Sequence, residues 1–262
     1  SLIEYLLGFK PKATYTNENN LSTFLLFVTP FLLSEIILKM KIKRNVILLA
    51  LIFITVHIAE ARLGQLAFII QLTAFFFIFM KVNKVKGRKL FLIILTYLVI
   101  LSSPVVLWVI TKETTGETIA QQLNRTGSSI NIRIHMIKEG IRLFKESNFM
   151  GVGAGNIIIQ DVWNPEIERK QSLHFFIVTL LASYGIISAV LFIYMHIRLF
   201  KIIKFMRDNS DFIKFLKSSL IIFLISFLIV ANLPSTLIDF RPFYFFFGYF
   251  FAFIRVYKKK YS

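Results

Sequence analysis

The sequence predicts an all-helical integral membrane protein with about seven transmembrane helices in a single polytopic domain, and three observations predict it. Hydrophobic residues make up 56% of the 262 residues and charged residues only 17%, with 30 phenylalanines and a mean hydropathy of +0.69; a water-soluble domain carries about 25% charged residues. Seven apolar stretches, roughly 21–38, 45–60, 63–80, 90–110, 173–197, 213–232 and 243–256, approach the ~20 residues a helix needs to cross the hydrocarbon. Basic residues crowd alternate connections between these stretches. The same figures exclude a soluble globule and a disordered chain. With no cysteine there is no disulfide framework, no thiolate nucleophile and no Cys-based metal site.

Each stretch is read as a helix because lipid offers no partner to a backbone N–H or C=O. The first is followed by Lys39, Lys41, Lys43 and Arg44, and the third by Lys81, Lys84, Lys86, Arg88 and Lys89. The fifth is followed by Arg198, Lys201, Lys204, Arg207, Lys214 and Lys217, and the last by Arg255, Lys258, Lys259 and Lys260. That side holds 19 basic residues and three acids; the other holds 12 basic residues and 11 acids. The basic side is therefore read as cytoplasmic, with the C-terminus inside and the connection 111–172 extracytoplasmic, in the cell inner (cytoplasmic) membrane. The net charge of +17 is then a topology signal with some attraction to membrane lipids, not a nucleic-acid footprint. An N-terminus placed outside, at Ser1, reads as a chain whose N-terminal part is missing.

The 111–172 connection is long for a loop. Within it Ile130, Ile134, Ile137, Ile141 and Phe144 recur at helical spacing on one 100° arc, which predicts an amphipathic helix at the membrane surface or over a cavity, with Ser128 and Ser129 as caps. His135 falls on its solvated side. GVGAGN (151–156) follows as a flexible turn, then a polar stretch to Leu173.

Candidate chemistry clusters on the outer side. His174 opens the fifth stretch where the long loop returns to the membrane, and an imidazole can accept a proton at working pH. His57 lies near the outer end of the second stretch, five residues before Arg62. Arg62 is in a very short outer connection, Arg133 on the loop helix and Arg241 in the last outer connection. Guanidinium groups grip phosphate in a bidentate way, although an arginine at a membrane edge commonly just keeps its head wet. Gly151, Gly153 and Gly155 do not form GxGxxG, so a dinucleotide site is not indicated; they suit a sharp turn or a close backbone approach. Glu166 and Glu168 read as a solvated acidic turn, and no metal constellation is present.

In this order the features resemble the O-antigen ligase and O-antigen polymerase family of bacterial envelope glycosyltransferases. EARLGQLAFII (60–70) is similar to the family's arginine motif opening a span, with Arg62 in the arginine position. NIRIHMIKEGIRLFKESNFMGVGAGNI (131–157) follows the family's arginine helix and Gly-rich segment, with Arg133, Gly151, Gly153 and Gly155. SLHFFIVTLLASYGIISAVLF (172–192) resembles its histidine opening a span, with His174 and Gly185, and NENNLSTFLLFVTP (17–30) an earlier span opening. The family's Asn after the histidine is Phe175 here, the Ser before the arginine is Ala61, and its Trp near Arg133 is absent.

The resemblance implies a GT-C-like membrane glycosyltransferase that lacks some N-terminal spans. It implies transfer of a glycan from an undecaprenyl-diphosphate carrier to an acceptor sugar hydroxyl, inverting and metal-independent, without cofactor. Arg62 and Arg133 would bind the diphosphate and His174 would be the catalytic base, with Arg241, His57 and the three glycines supporting. The Lys-, Ile- and Phe-rich composition favours a capsular or envelope polysaccharide polymerase over a lipid A ligase. A lipid-linked glycan transporter or flippase, or an inactive membrane fragment, stays open as the alternative.

Overall fold

The structure, a computed structural model, describes residues 18–59, 61–85, 129–160, 168–170, 173–206, 210–234, 237 and 240–261. The apolar stretch 90–110 lies outside these residues, as do Glu60, Arg125, Ser128 and Glu166. Among the described residues the protein is helical apart from one two-stranded hairpin: α1 (Glu18–Ile37), α2 (Ile42–Ile58), α3 (Arg62–Asn83), α4 (Ser129–Glu146), β1 (Ile158–Gln160), β2 (Glu168–Lys170), α5 (Phe176–Phe205), α6 (Asp211–Val230) and α7 (Arg241–Tyr261). Four of these helices, α1, α3, α5 and α6, are long and apolar enough to cross a membrane. The chain divides into two compact units, residues 1–104 with 198–262, and residues 105–197.

In the first unit α1, α3 and α6 pack together, with α2 against α1 and α3. Their core explains the phenylalanine content. Phe27, Phe223, Phe227 and Phe250 are almost fully buried, and their rings meet in tilted or edge-on pairs, Phe27–Phe223 at 5.4 Å and Phe223–Phe250 at 5.1 Å, the geometry ring quadrupoles favour. Lipid tails are as apolar as these rings, so tight packing and polar ties must hold such helices together. One tie joins all three: the Gln71 Nε2 donates to the Leu26 carbonyl at 2.9 Å and to the Ser226 Oγ at 2.9 Å. Hydroxyls within the helices donate to the carbonyl one turn back, as at Thr29, Ser34 and Ser219. At the α1–α2 turn Glu35 accepts from Arg44 at 2.5 Å and from the buried Asn45 Nδ2 at 2.7 Å.

In the second unit α4 lies beside the beginning of α5. Met136, Leu143, Ile157, Ile159, Leu173, Val178 and Ala182 form the core, with Ile132, Ile137 and Val152 against it. The polar stretch expected after the Gly-rich turn contains the antiparallel hairpin, with Ile159 opposite Arg169 and fully buried. The sequence concealed it because each strand has only three residues.

Helix α5 is not one rod. Gly185 has φ 75° and ψ −174°, a conformation open essentially to glycine alone. The rings of Phe176 and Phe192 lie 5.0 Å apart, yet sixteen residues of straight helix would separate them by about 24 Å. The helix therefore folds back on itself at Gly185. Backbone groups left without helical partners at such a break need new ones. The 149–153 segment provides them: Val152 N–H donates to Ala182 O at 2.8 Å, Gly153 N–H to Ser183 O at 2.9 Å, and Ile186 N–H donates to Phe149 O at 3.0 Å. Two glycines make this contact possible. A Cβ on Gly151 would lie 2.6 Å from the Gly185 nitrogen, and a Cβ on Gly185 would collide with the Met150 carbonyl.

Gly185→Ala is expected to destabilise the protein by about 3 kcal/mol or more, from the forbidden dihedrals and the collision together. Gly155→Ala, where a Cβ meets nothing within 4 Å at φ +71°, should cost only the left-handed penalty of about 1–2 kcal/mol. Thermal unfolding of the two purified variants beside the parent checks the contrast.

Candidate functional site

The second unit brings two of the predicted residues together. Arg133 is exposed on the first turns of α4, and His174 is half-buried just before α5. His174 has φ 51°, a left-handed conformation that is uncommon outside glycine and that turns the chain between Leu173, fully buried, and α5. Its pKa lies below the usual imidazole range, first because burial disfavours the charged form and second because the positive charge of Arg133 repels a proton there. Arg133 is thus near enough to act electrostatically on His174. The imidazole is held neutral, the state in which it can accept a proton.

A residue the sequence reading passed over makes this proximity possible. A Cβ on Gly140 would collide with Val178 Cγ1 and lie 2.7 Å from Leu173 Cδ1. Only glycine lets α4 approach the start of α5 so closely, and Leu173 adjoins His174 in the chain. Gly140 lacks any motif, so only the packing identifies it.

The face of α4 that meets the core coincides only in part with the apolar stripe. The buried positions are Met136, Glu139, Gly140 and Leu143, whereas Ile134 and Ile141 of the predicted stripe are exposed. Counting apolar side chains alone missed a face centred on a glycine and on the stem of Glu139. Arg142 covers that carboxylate at 2.9 Å and also bonds Glu146 at 2.6 Å, and both acids hold its pKa above the ordinary value. His135, expected in solvent, is half-buried.

The Gly-rich turn has two parts. Gly151 and Gly153 belong to the joint with α5, while Gly155 is exposed beyond it. The structure gives them a mechanical task at the helix break.

Arg62, His57 and Arg241 belong to the first unit. Arg62 is exposed at the first residue of α3. Gly64 in the same turn seats that end tightly, since a Cβ there would lie 3.0 Å from both Val56 and Leu233. His57 is half-buried on α2, with its Nδ1 3.1 Å from Gln65 Nε2 of α3 and its ring stacked on Phe53. It ties α2 to the turn that carries Arg62. Arg241 is exposed at the first residue of α7. Among the described residues no three His, Asp or Glu side chains are grouped to hold a metal ion.

The O-antigen ligase family model matches residues 47–193, more than half of the chain. That range includes Arg62, Arg133, the Gly-rich turn and His174. No curated protein and no solved structure matches the chain. Extending from α2 through the break in α5, the match establishes that this protein belongs to the O-antigen ligase family.

Proposed function

We propose that the protein transfers a glycan from an undecaprenyl-diphosphate carrier to an acceptor sugar hydroxyl on the outer face of the cytoplasmic membrane, as a GT-C-like enzyme. The observation that carries the reading is Arg133 beside a His174 kept neutral, in a member of a glycan-transferring membrane family. The acceptor oxygen attacks C1 of the donor sugar with inversion, and the C1–O bond to the diphosphate breaks. His174 takes the hydroxyl proton. Arg133 binds the diphosphate and offsets the charge that grows on it. A lipid diphosphate is a good enough leaving group for this chemistry to need no metal or cofactor. The acceptor is the end of another lipid-linked repeat unit, making the protein a polymerase of a capsular or envelope polysaccharide. The transporter alternative is disfavoured by the break in α5. Transporters use unwound backbone to coordinate cargo, whereas here Ala182 O, Ser183 O and Ile186 N–H are already bonded to the 149–153 segment.

Arg133 and His174 together give a base whose strength follows binding. In the free protein burial and, second to it, the Arg133 charge hold the His174 pKa down. A bound diphosphate neutralises that charge, so the proton affinity of His174 rises as the acceptor must be deprotonated.

His174→Ala should lower single-turnover product formation from lipid-linked glycan by about 10²–10⁴, the usual worth of a general base; near-parental turnover would remove the assignment. The acidic limb of kcat/KM, which reports the free protein, should lie at lower pH than that of kcat, which reports the complex. Activity is lost as pH falls through each limb, because protonated His174 cannot accept a proton. Arg133→Gln should lower kcat by about 10²–10³ and move the kcat/KM limb to higher pH, only part of the way to an ordinary imidazole because burial remains. Arg133→Lys should leave that limb in place. Gly140 is a positioning residue: Gly140→Ala should move the limb in the same direction as Arg133→Gln by pushing α4 outward. Adding Val178→Ala, which removes the nearer of the two collisions, should move it part of the way back. The pH profiles of these four variants check the set.

A further inference from the structure

The corner between α4 and its joint with α5 has an unusual surface. Phe149 and Met150 are large apolar residues that are 52% and 65% exposed. Asn148 and Phe149 both have positive φ, at 51° and 66°, so local strain is spent on presenting them outward. Exposed corners normally leave some backbone N–H groups to water, but this one leaves none over seven consecutive residues. Ser147 N–H donates to Leu143 O, Asn148 to Lys145 O, Phe149 to Phe144 O and Met150 to Ser147 O. Gly151 N–H donates to the Ser147 hydroxyl at 3.0 Å, and Val152 and Gly153 to Ala182 and Ser183. Donors all satisfied within the chain, beneath an apolar exterior, are what hydrocarbon demands of backbone N–H groups.

The corner also continues a surface suited to lipid. The Ile186 N–H to Phe149 O bond joins it to the start of the second arm of α5. That arm exposes Ile186, Ile187, Val190, Leu191 and Ile193, on a helix long and apolar enough to cross a membrane. From Ile186 to Phe205 it has the ~20 residues one crossing needs. Exposed Ile141 carries the apolar surface back along α4. Lys145, exposed one turn before the corner, has a stem long enough for its ammonium to reach phosphate height while the corner sits lower.

We propose that the Phe149–Met150 corner is a lipid-docking surface, immersed in the acyl chains of one leaflet together with the exposed flank of α5 after Gly185. The immersed corner anchors the second unit by the segment that locks the helix break, so the depth of α4, and of the arginine it carries, is set relative to the lipid headgroups. The surface is independent of the chemistry assigned to His174.

The absence of cysteine from the chain makes the test direct. Single nitroxide labels are placed by Phe149→Cys, Met150→Cys, Ile187→Cys and Lys138→Cys in the full chain, reconstituted in nanodiscs of phosphatidylethanolamine and phosphatidylglycerol. Collision rates with oxygen, which partitions into acyl chains, and with a water-soluble nickel chelate are then measured. Labels at 149 and 150 should favour oxygen several-fold over the chelate, as at 187, with 138 favouring the chelate. Met150→Cys does not occupy a positive-φ position and serves if the variant at 149 fails to fold. Chelate preference at 149 and 150 would overturn the proposal in favour of open water. Low collision with both reagents would overturn it in favour of a protein cover, from elsewhere in the chain or a second copy.

Discussion

A helix that breaks among apolar surroundings must hand its orphaned backbone groups to another segment, because an unsatisfied N–H or C=O in hydrocarbon costs several kcal/mol. At Gly185 the recipient is the strand of chain after α4, and much of the second unit follows from that exchange. The three bonds across the break fix where α4 ends. Gly151 and Gly185 are required there because the two backbones touch with no room for a Cβ. With its C-terminal end held, α4 lies along the first arm of α5, Gly140 lets it settle against Leu173 and Val178, and Arg133 comes within electrostatic reach of His174.

The first unit solves a different problem with different means. Its helices are apolar on most sides, so burial alone gives little preference for one arrangement over another when the surroundings are lipid. Phenylalanine packing provides shape, with rings meeting tilted or edge-on around Phe27, Phe223 and Phe250. Gln71 provides register, since sliding any of the three helices it joins would strand its amide in an apolar interior. Arg62 rides on this frame through the tight turn at Gly64 and the His57–Gln65 contact.

Family membership and the local geometry bear on function in different ways. Membership indicates a glycan-transfer role in polysaccharide biosynthesis at a membrane. The geometry adds electrostatic logic: partial burial, and then the permanent charge of Arg133, both disfavour protonation of the His174 imidazole. Neither Arg133 nor His174 alone carries that behaviour. It depends on the distance between two residues 41 positions apart in the chain, and on a glycine that no motif marks.

Composition and periodicity by themselves determined that the protein is helical and apolar enough for membrane crossing, because these depend on the local ratio of apolar to charged residues and on the need of each segment to satisfy its own backbone. The order of motifs was sufficient for the family resemblance, and Arg133 and His174 were legible as candidates from residue type and position. The tertiary structure decided the rest. The stretch read as one span over 173–197 contains a fold-back at Gly185, invisible to hydropathy because glycine scarcely changes the average and the arms on both sides remain apolar. The face of α4 that packs against α5 was not legible either, since it is chosen by where α5 can approach, at Gly140, rather than by which side chains are most apolar. The hairpin at Ile158–Gln160 and Glu168–Lys170 was hidden because three-residue strands owe their existence to cross-strand pairing. In each case the deciding interaction lies between residues distant in sequence, and local pattern carries no record of it.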